Sequence, residues 1–243
     1  MLVGQGRSTP GPGASYLAGM RLLAIDTALE ACSVGVLNNA GASFLRSEEV
    51  GRGHQERLFL MIAAVMAEAG IGFDALDRIA VTVGPGSFTG IRVGIAAARG
   101  FALVTKVPIV GVTTLAVHAE SAAGQLGGRL LMVVLPARAD RLYGQMFAPD
   151  LSPRGEPRLA SLKELAAEAE EAGAMLAGSG AEAIAAAIGG DTESRIIHRR
   201  SAPDIAALLN LARRASPPQE SPKPLYLGSP DARPRLDSVV TRR

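Results

Sequence analysis

Leu22–Leu37 reads LLAIDTALEACSVGVL. An apolar run, Arg21–Thr27, ends in two polar residues, and a second run, Cys32–Leu37, follows after only Ala28–Ala31. Two strand-like runs separated by so few residues predict an antiparallel hairpin. Asn38, Asn39 and Gly41 supply another turn before Ala42–Glu48. The chain therefore opens with three successive antiparallel strands.

Outward from this hairpin, His54–Gly70 has good helix formers throughout and a glycine at the C-cap position. Leu58, Met61, Ile62, Val65 and Ala69 fall on one stripe. Phe59 and Met66 widen it to an arc of roughly 160°, beyond the ~100° that a surface helix needs. Leu60 and Ala64 add apolar surface on the far side. A strand over Ala80–Val83 leads into GPGSFTGIRVG, and a helix is predicted over 89–105. At 100° per residue, Ile91, Ile95, Ala98 and Ala102 share one face and Val93, Ala97, Gly100 and Val104 nearly the opposite one. Arg92 and Arg99 share one narrow edge. Gly90, Gly94, Ala97 and Phe101 form a smooth groove for another backbone. Such a helix is clasped on both sides, once by its own sheet through Ile91 and Ile95 and once by a partner helix.

Further on, strands are predicted at 108–112, 129–136, 141–147 and 174–177, and helices at 114–124, 162–171, 181–188 and 203–214, the last with Pro203 in its first turn. The expected division is a disordered extension over 1–19, an upstream mis-start being the other reading, and a first α/β lobe over 20–106. Helix 203–214 returns to that lobe. A second α/β lobe covers 107–202, and an arm or tail 215–243.

Chemistry-bearing groups are sparse. Asp26 and Thr27 end the first strand, where they either place a carboxylate beside a metal–phosphate group or terminate the strand through local hydrogen bonds. Gly84, Gly86 and Ser87 lie between a strand and a helix N-terminus and could hold an anion, or Ser87 could only cap the helix. This is not a P-loop, because no lysine follows in register. The three histidines, His54, His118 and His198, show no i, i+4 metal spacing. There is no GxSxG elbow, and Cys32 sits mid-strand as a small core residue. No catalytic residue and no metal site are expected.

Composition agrees with a packed core. Of 243 residues, 48% are hydrophobic and 20% charged, while aromatics are 4% and tryptophan is absent; few side chains remain for base stacking. The net charge is +2. The arginines cluster at Arg195, Arg199, Arg200, Arg213 and Arg214 and in the tail at Arg233, Arg235, Arg242 and Arg243, as a solvated face or an auxiliary RNA contact. A single cysteine excludes an internal disulfide and fits a reducing, cytoplasmic setting. No apolar run reads as a membrane span or signal peptide.

Taken together, Leu22–Leu37, Gly53–Gly70 and above all VGPGSFTGIRVGIAAARGFAL (Val83–Leu103) resemble the TsaB/YeaZ family. The likeness is strong from Met20 to about Ala119, with PLYL at Pro224–Leu227 an echo near the end. Pro136 stands where the family has Asp before an Ala-Arg hairpin, and Gly228 where it has Arg after PLYL. The resemblance implies an actin-like ATPase (ribonuclease H-like) fold of two related α/β lobes. It implies a scaffold that lacks the metal-binding histidine pair of its relative TsaD, pairs with TsaD through first-lobe helices, and is joined by the ATPase TsaE. The product is threonylcarbamoyladenosine at position 37 of tRNAs that read codons beginning with A, and the contact with tRNA is indirect. No tightly bound cofactor is expected; ATP or ADP with Mg enters at the level of the complex. The expected partner-facing residues are Leu58, Phe59, Met61, Ile62, Val65, Met66, Gly90, Val93, Gly94, Ala97 and Phe101. Without TsaD the same face would make a homodimer. A free-standing small-molecule kinase of the actin-like class, a metal peptidase and a structural homodimer remain as alternatives.

Overall fold

A computed structural model describes residues 19–50, 54–138, 140–190, 193–216 and 220–227. The first sheet begins with β1 (Leu22–Asp26), β2 (Ala31–Leu37) and β3 (Ser43–Glu49), an antiparallel meander. After α1 (His54–Ala69), β4 (Arg78–Thr82) pairs parallel with β1. After α2 (Phe88–Thr105), β5 (Ile109–Val112) pairs parallel with β4. The strand order is β3-β2-β1-β4-β5.

The second sheet repeats this plan. β6 (Leu131–Pro136), β7 (Arg141–Phe147) and β8 (Pro153–Ser161) form the meander, and β9 (Met175–Ala177) and β10 (Ile196–His198) add in parallel, giving β10-β9-β6-β7-β8. α3 (Thr114–Ala122) links the sheets, α4 (Leu162–Glu171) and α5 (Ala181–Ile188) follow β8 and β9, and α6 (Ile205–Arg214) follows β10. Two lobes with one shared topology make this the actin-like, ribonuclease H-like fold.

The period of two along a strand decides which helix meets which residue. Leu23 and Ile25 of β1 point into a core with Leu58, Ile62 and Val65 of α1 and Ile91 and Ile95 of α2. Leu22 and Ala24 point the other way, against Leu208, Leu209 and Ala212 of α6. The first sheet is thus covered on both faces, which is why β1, β2 and β4 are buried along their whole length. α3 belongs to both lobes: Val117 packs with α6, while Leu115, Ala119 and Ala122 pack against Leu131, Val133 and Leu135 of β6.

The structure departs from the sequence reading at five points. The lobe boundary expected at 106/107 falls one strand early, because β5 completes the first sheet by pairing with β4. β8 was not anticipated: Pro153, Gly155 and Pro157 interrupt any β pattern, and as an edge strand it is mostly exposed. β10, three residues long, was missed for its brevity. Pro203 precedes the last helix rather than lying in its first turn, since Asp204 is the N-cap and its side chain accepts from the Ala206 N–H. α2 is the one described helix with the length and apolarity of a membrane span, contrary to expectation, yet it carries Arg92 and Arg99 and packs on the first sheet. Residues 1–18 and 228–243, with Gly228 and the tail arginines, lie outside the described residues.

Candidate functional site

The hairpin turn after β1 and the glycine loop before α2 are tied to each other. The Asp26 side chain is buried, and Oδ1 accepts from the Ala28 N–H at 3.0 Å and from the Thr82 hydroxyl at 2.6 Å. Thr27, also buried, donates its hydroxyl to the Gly90 carbonyl at 2.7 Å. The Ser87 N–H donates to the Ala28 carbonyl at 2.7 Å, and the Ser87 hydroxyl accepts from the Gly90 N–H as the α2 N-cap. A Cβ on Gly86 would lie 2.1 Å from the Ala28 carbonyl oxygen. Gly84 adopts φ +105°, and its carbonyl accepts from the Thr114 N–H. Thr27 and Ser87 thus join the end of β1 to the start of α2, while Asp26 is held by Thr82 of β4 and its own turn; these contacts match the local-hydrogen-bond reading of Asp26, Thr27 and Ser87.

The same joint corrects the smooth-groove expectation. A Cβ on Gly90 would sit 2.0 Å from the Thr27 carbonyl oxygen, and one on Gly94 would sit 2.5 Å from Thr27 Oγ1. These glycines admit the chain's own β1 end, so they do not face a partner. Leu58, Met61, Ile62, Val65 and Met66 are likewise corrected: each is buried in the first-lobe core. Of the expected partner-facing set, Phe59, Val93 and Phe101 line open surface, and Ala97 borders it while itself buried in the core.

That surface is a groove of about 640 Å³ between α1 and α2, also lined by Phe88, Thr89, Arg92, Ala96, Gly100 and Val104. Its apolar lining is open to solvent: Phe59 is 51% exposed, Phe88 46% and Val104 81%, and Leu60 and Leu103 elsewhere on α1 and α2 are exposed as well. Phe101 braces its floor, stacked on Phe73 with ring centroids 5.0 Å apart. Contiguous exposed apolar surface of this kind marks an interaction site. The sequence held part of the signal, since Val93, Ala97, Gly100 and Val104 share one face of the helical wheel. Phe88 and Ala96 were missed, because the wheel alone cannot say where the sheet stops.

The segment 220–227 runs beside this groove. The Leu225 N–H donates to the Val83 carbonyl at 2.7 Å, and the Arg99 guanidinium donates to the Pro222 carbonyl at 2.7 Å. Arg92 Nε donates to the Tyr226 hydroxyl at 2.9 Å. Its guanidinium carbon lies 3.6 Å above the Phe88 ring, whose centroid is 5.3 Å from that of Tyr226. The two arginines on the edge of α2 thus hold this arm, Arg99 at Pro222 and Arg92 at Tyr226 of PLYL.

The remaining titratable groups are structural. Burial pushes the Cys32 thiol up to about 11, so it is a poor nucleophile at neutral pH. His118 and His198 come together across the lobe junction with ring centroids 5.5 Å apart. Burial, and then the neighbouring His198, push His118 down to about 3; burial lowers His198 as well. Among the described residues no three His, Cys, Asp or Glu side chains gather as a metal site. Arg195 donates to the Ala169 and Ala174 carbonyls at the end of α4, Arg199 pairs with Glu182, and Arg214 pairs with Glu120. These contacts favour the solvated-face reading of that arginine cluster.

Comparison with known proteins now bears on this geometry. The family model "TsaD: tRNA N6-adenosine threonylcarbamoyltransferase" matches residues 46–149, which include α1 and α2. The TsaB protein of Escherichia coli (strain K12), a tRNA threonylcarbamoyladenosine biosynthesis protein, is 37% identical over 131 residues, 54% of this chain and 56% of that protein. An uncharacterised protein of Mycobacterium tuberculosis is 32% identical over 215 residues, 88% of this chain and 94% of that protein. The structure of YeaZ from Pseudomonas aeruginosa superimposes with a TM-score of 0.66 at 28% identity, covering 79% of this chain and 90% of that one.

The chain belongs to the TsaB/YeaZ family. The match spans about half the length of the curated TsaB relatives, 56% and 52% in two of them. For this TsaB/YeaZ-family chain the candidate site is therefore a helix face with an adjoining arm.

Proposed function

We propose that the chain is a non-catalytic subunit that pairs with TsaD through the α1–α2 face and supports N6-threonylcarbamoylation of adenosine 37 in tRNAs reading A-starting codons, with TsaE as a further component. The observation that carries this reading is the open apolar groove along α2, whose Val104 is 81% exposed in a helix otherwise packed on its own sheet. Names among the relatives supply the pathway. On this reading the activity resides in the assembly, any ATP or ADP with Mg is handled there, tRNA is met indirectly, and the setting is cytoplasmic. Without TsaD the exposed face favours a homodimer.

A free-standing kinase is disfavoured because Asp26 is engaged with Ala28 and Thr82, and the Ser87 N–H with the Ala28 carbonyl. A metal peptidase is disfavoured because His118 and His198 gain no third ligand among the described residues. The test is co-purification with TsaD from the same organism, followed by mass spectrometry of tRNA from cells lacking this chain. A stable complex and loss of the modification are expected. A chain that never associates with TsaD, or cells that keep the modification, would overturn the reading.

A further inference from the structure

The groove that an apolar helix would fill contains one charged lining residue among the described residues, Arg92. Its guanidinium is held in place from two sides. Phe88 lies beneath it at 3.6 Å, and its Nε is occupied by the Tyr226 hydroxyl at 2.9 Å. Both terminal Nη groups remain as donors, and Arg92 makes no ion pair among the described residues. Closing an apolar partner over this groove removes water from a full positive charge, which is costly unless an anion replaces that water. A stacked guanidinium with both Nη groups available matches the two oxygens of a carboxylate.

We propose that Arg92 is the specificity determinant of the docking face: it receives an Asp or Glu carboxylate from the apolar partner helix, and Tyr226, on the C-terminal arm, is its positioning residue. This rests on the TsaD reading above. A second copy docked α2 on α2 is the poorer occupant, because α2 has no acidic residue from Phe88 to Thr105 and carries Arg92 and Arg99 on one edge. An α2–α2 contact would bring like charges together, whereas a partner helix with a suitably placed acid satisfies both the apolar lining and the charge. The arm then belongs to the docking surface, although it follows α6 in sequence.

The experiment is isothermal titration of TsaD with the full chain and its variants at low and high salt. Arg92→Ala, shown by circular dichroism to remain folded, is expected to weaken binding by roughly 30-fold or more and to flatten the salt dependence. Tyr226→Phe keeps the ring and removes the hydroxyl, and is expected to weaken binding by roughly 3- to 10-fold. In an Arg92→Ala background the same change should have no further effect, an outcome that a merely structural tyrosine would not give. One Asp or Glu of TsaD, changed singly to Ala, should reproduce the Arg92→Ala loss and be non-additive with it. Unchanged affinity of Arg92→Ala, or neutrality of every acidic residue on TsaD's docking helices, overturns the inference while leaving the TsaD pairing in place. Failure of the unaltered chain to bind TsaD removes both, and tighter self-association of Arg92→Ala with no TsaD binding would identify a second copy as the occupant.

Discussion

The two lobes share a strand order but not a surface. α1 and α2 of the first lobe run 16 and 18 residues, while their counterparts α4 and α5 run 10 and 8. At about 1.5 Å per residue α2 is roughly 27 Å long, against roughly 17 Å for the five-residue β4 it follows. The last turn of this overhang carries Leu103 and Val104, both exposed. Each large hydrophobic residue exposed among the described residues, from Leu45 to Tyr226, belongs to the first lobe or the arm, and none to the second. In the second lobe, Leu165, Ala166 and Ala169 of α4 close on Ile184 and Ala185 of α5 in one internal cluster. A duplicated fold has thus been left open on one copy and sealed on the other.

The largest effect that could break this contrast pairs two substitutions. Leu165→Ala removes a buried side chain from the sealed lobe and should cost about 2–5 kcal/mol, which shows as a Tm loss of several degrees at ~2–4 °C per kcal/mol. Val104→Asp on the open lobe should leave Tm unchanged and abolish co-elution with TsaD. Thermal scans beside size-exclusion runs decide it, and a Tm loss for Val104→Asp would mean that the overhang is part of the core.

Gly90→Ala sharpens the boundary between core and open face within α2. The added methyl meets the Thr27 carbonyl oxygen, and overpacking of this kind costs about 1–3 kcal/mol. Gly100→Ala, with nothing within 4 Å of the new Cβ, should stabilise slightly through helix propensity. Chemical denaturation of both variants reads the difference, and equal midpoints would refute the assignment of Gly90 to the β1 joint.

A smaller effect tests the seam between the lobes. His118 is held neutral in the fold at a value of about 3, below the ordinary 6.5 of an unfolded chain. Below pH 6.5 the unfolded state therefore binds the extra proton, so the stability present above 6.5 is lost as pH falls toward about 3, by up to about 1.4 kcal/mol per pH unit. By pH 5 that amounts to about 2 kcal/mol from this residue. His118→Leu should flatten the pH dependence of stability over this window, and an unaltered slope would place the acid sensitivity elsewhere.

Much of the first lobe was legible because its elements are long and periodic: the hairpin at Leu22–Leu37, α1 and α2 all follow from apolar spacing. The joint between Thr27 and Gly90 was not, because a stripe of small residues signals close approach of a backbone without naming whose. Phe59, Val93 and Phe101 were found as surface, whereas Leu58, Ile62 and Ala97 were assigned outward although an arc wider than 100° only says that the helix is covered twice. β8 and β10 left little trace, one for its prolines and polar faces and the other for its three residues. Arg92 and Arg99 were noticed on one edge, but their partners lie more than 120 residues away in sequence.

Arg78 on β4 reaches across to donate to the Ala212 and Ala215 carbonyls at the end of α6, fastening the returning helix to a strand made long before it. On a ribosome the order of synthesis matters. The first sheet is complete at Val112, but the helix that covers Leu22, Ala24, Ala80 and Val110 begins at Ile205. At about 5–20 residues per second, that face waits on the order of ten seconds for its cover while the whole second lobe is being translated. Nascent chains stalled within this interval should carry a bare β surface, accessible to chaperones and to pairing with other chains, and should lose it once residue 215 has emerged.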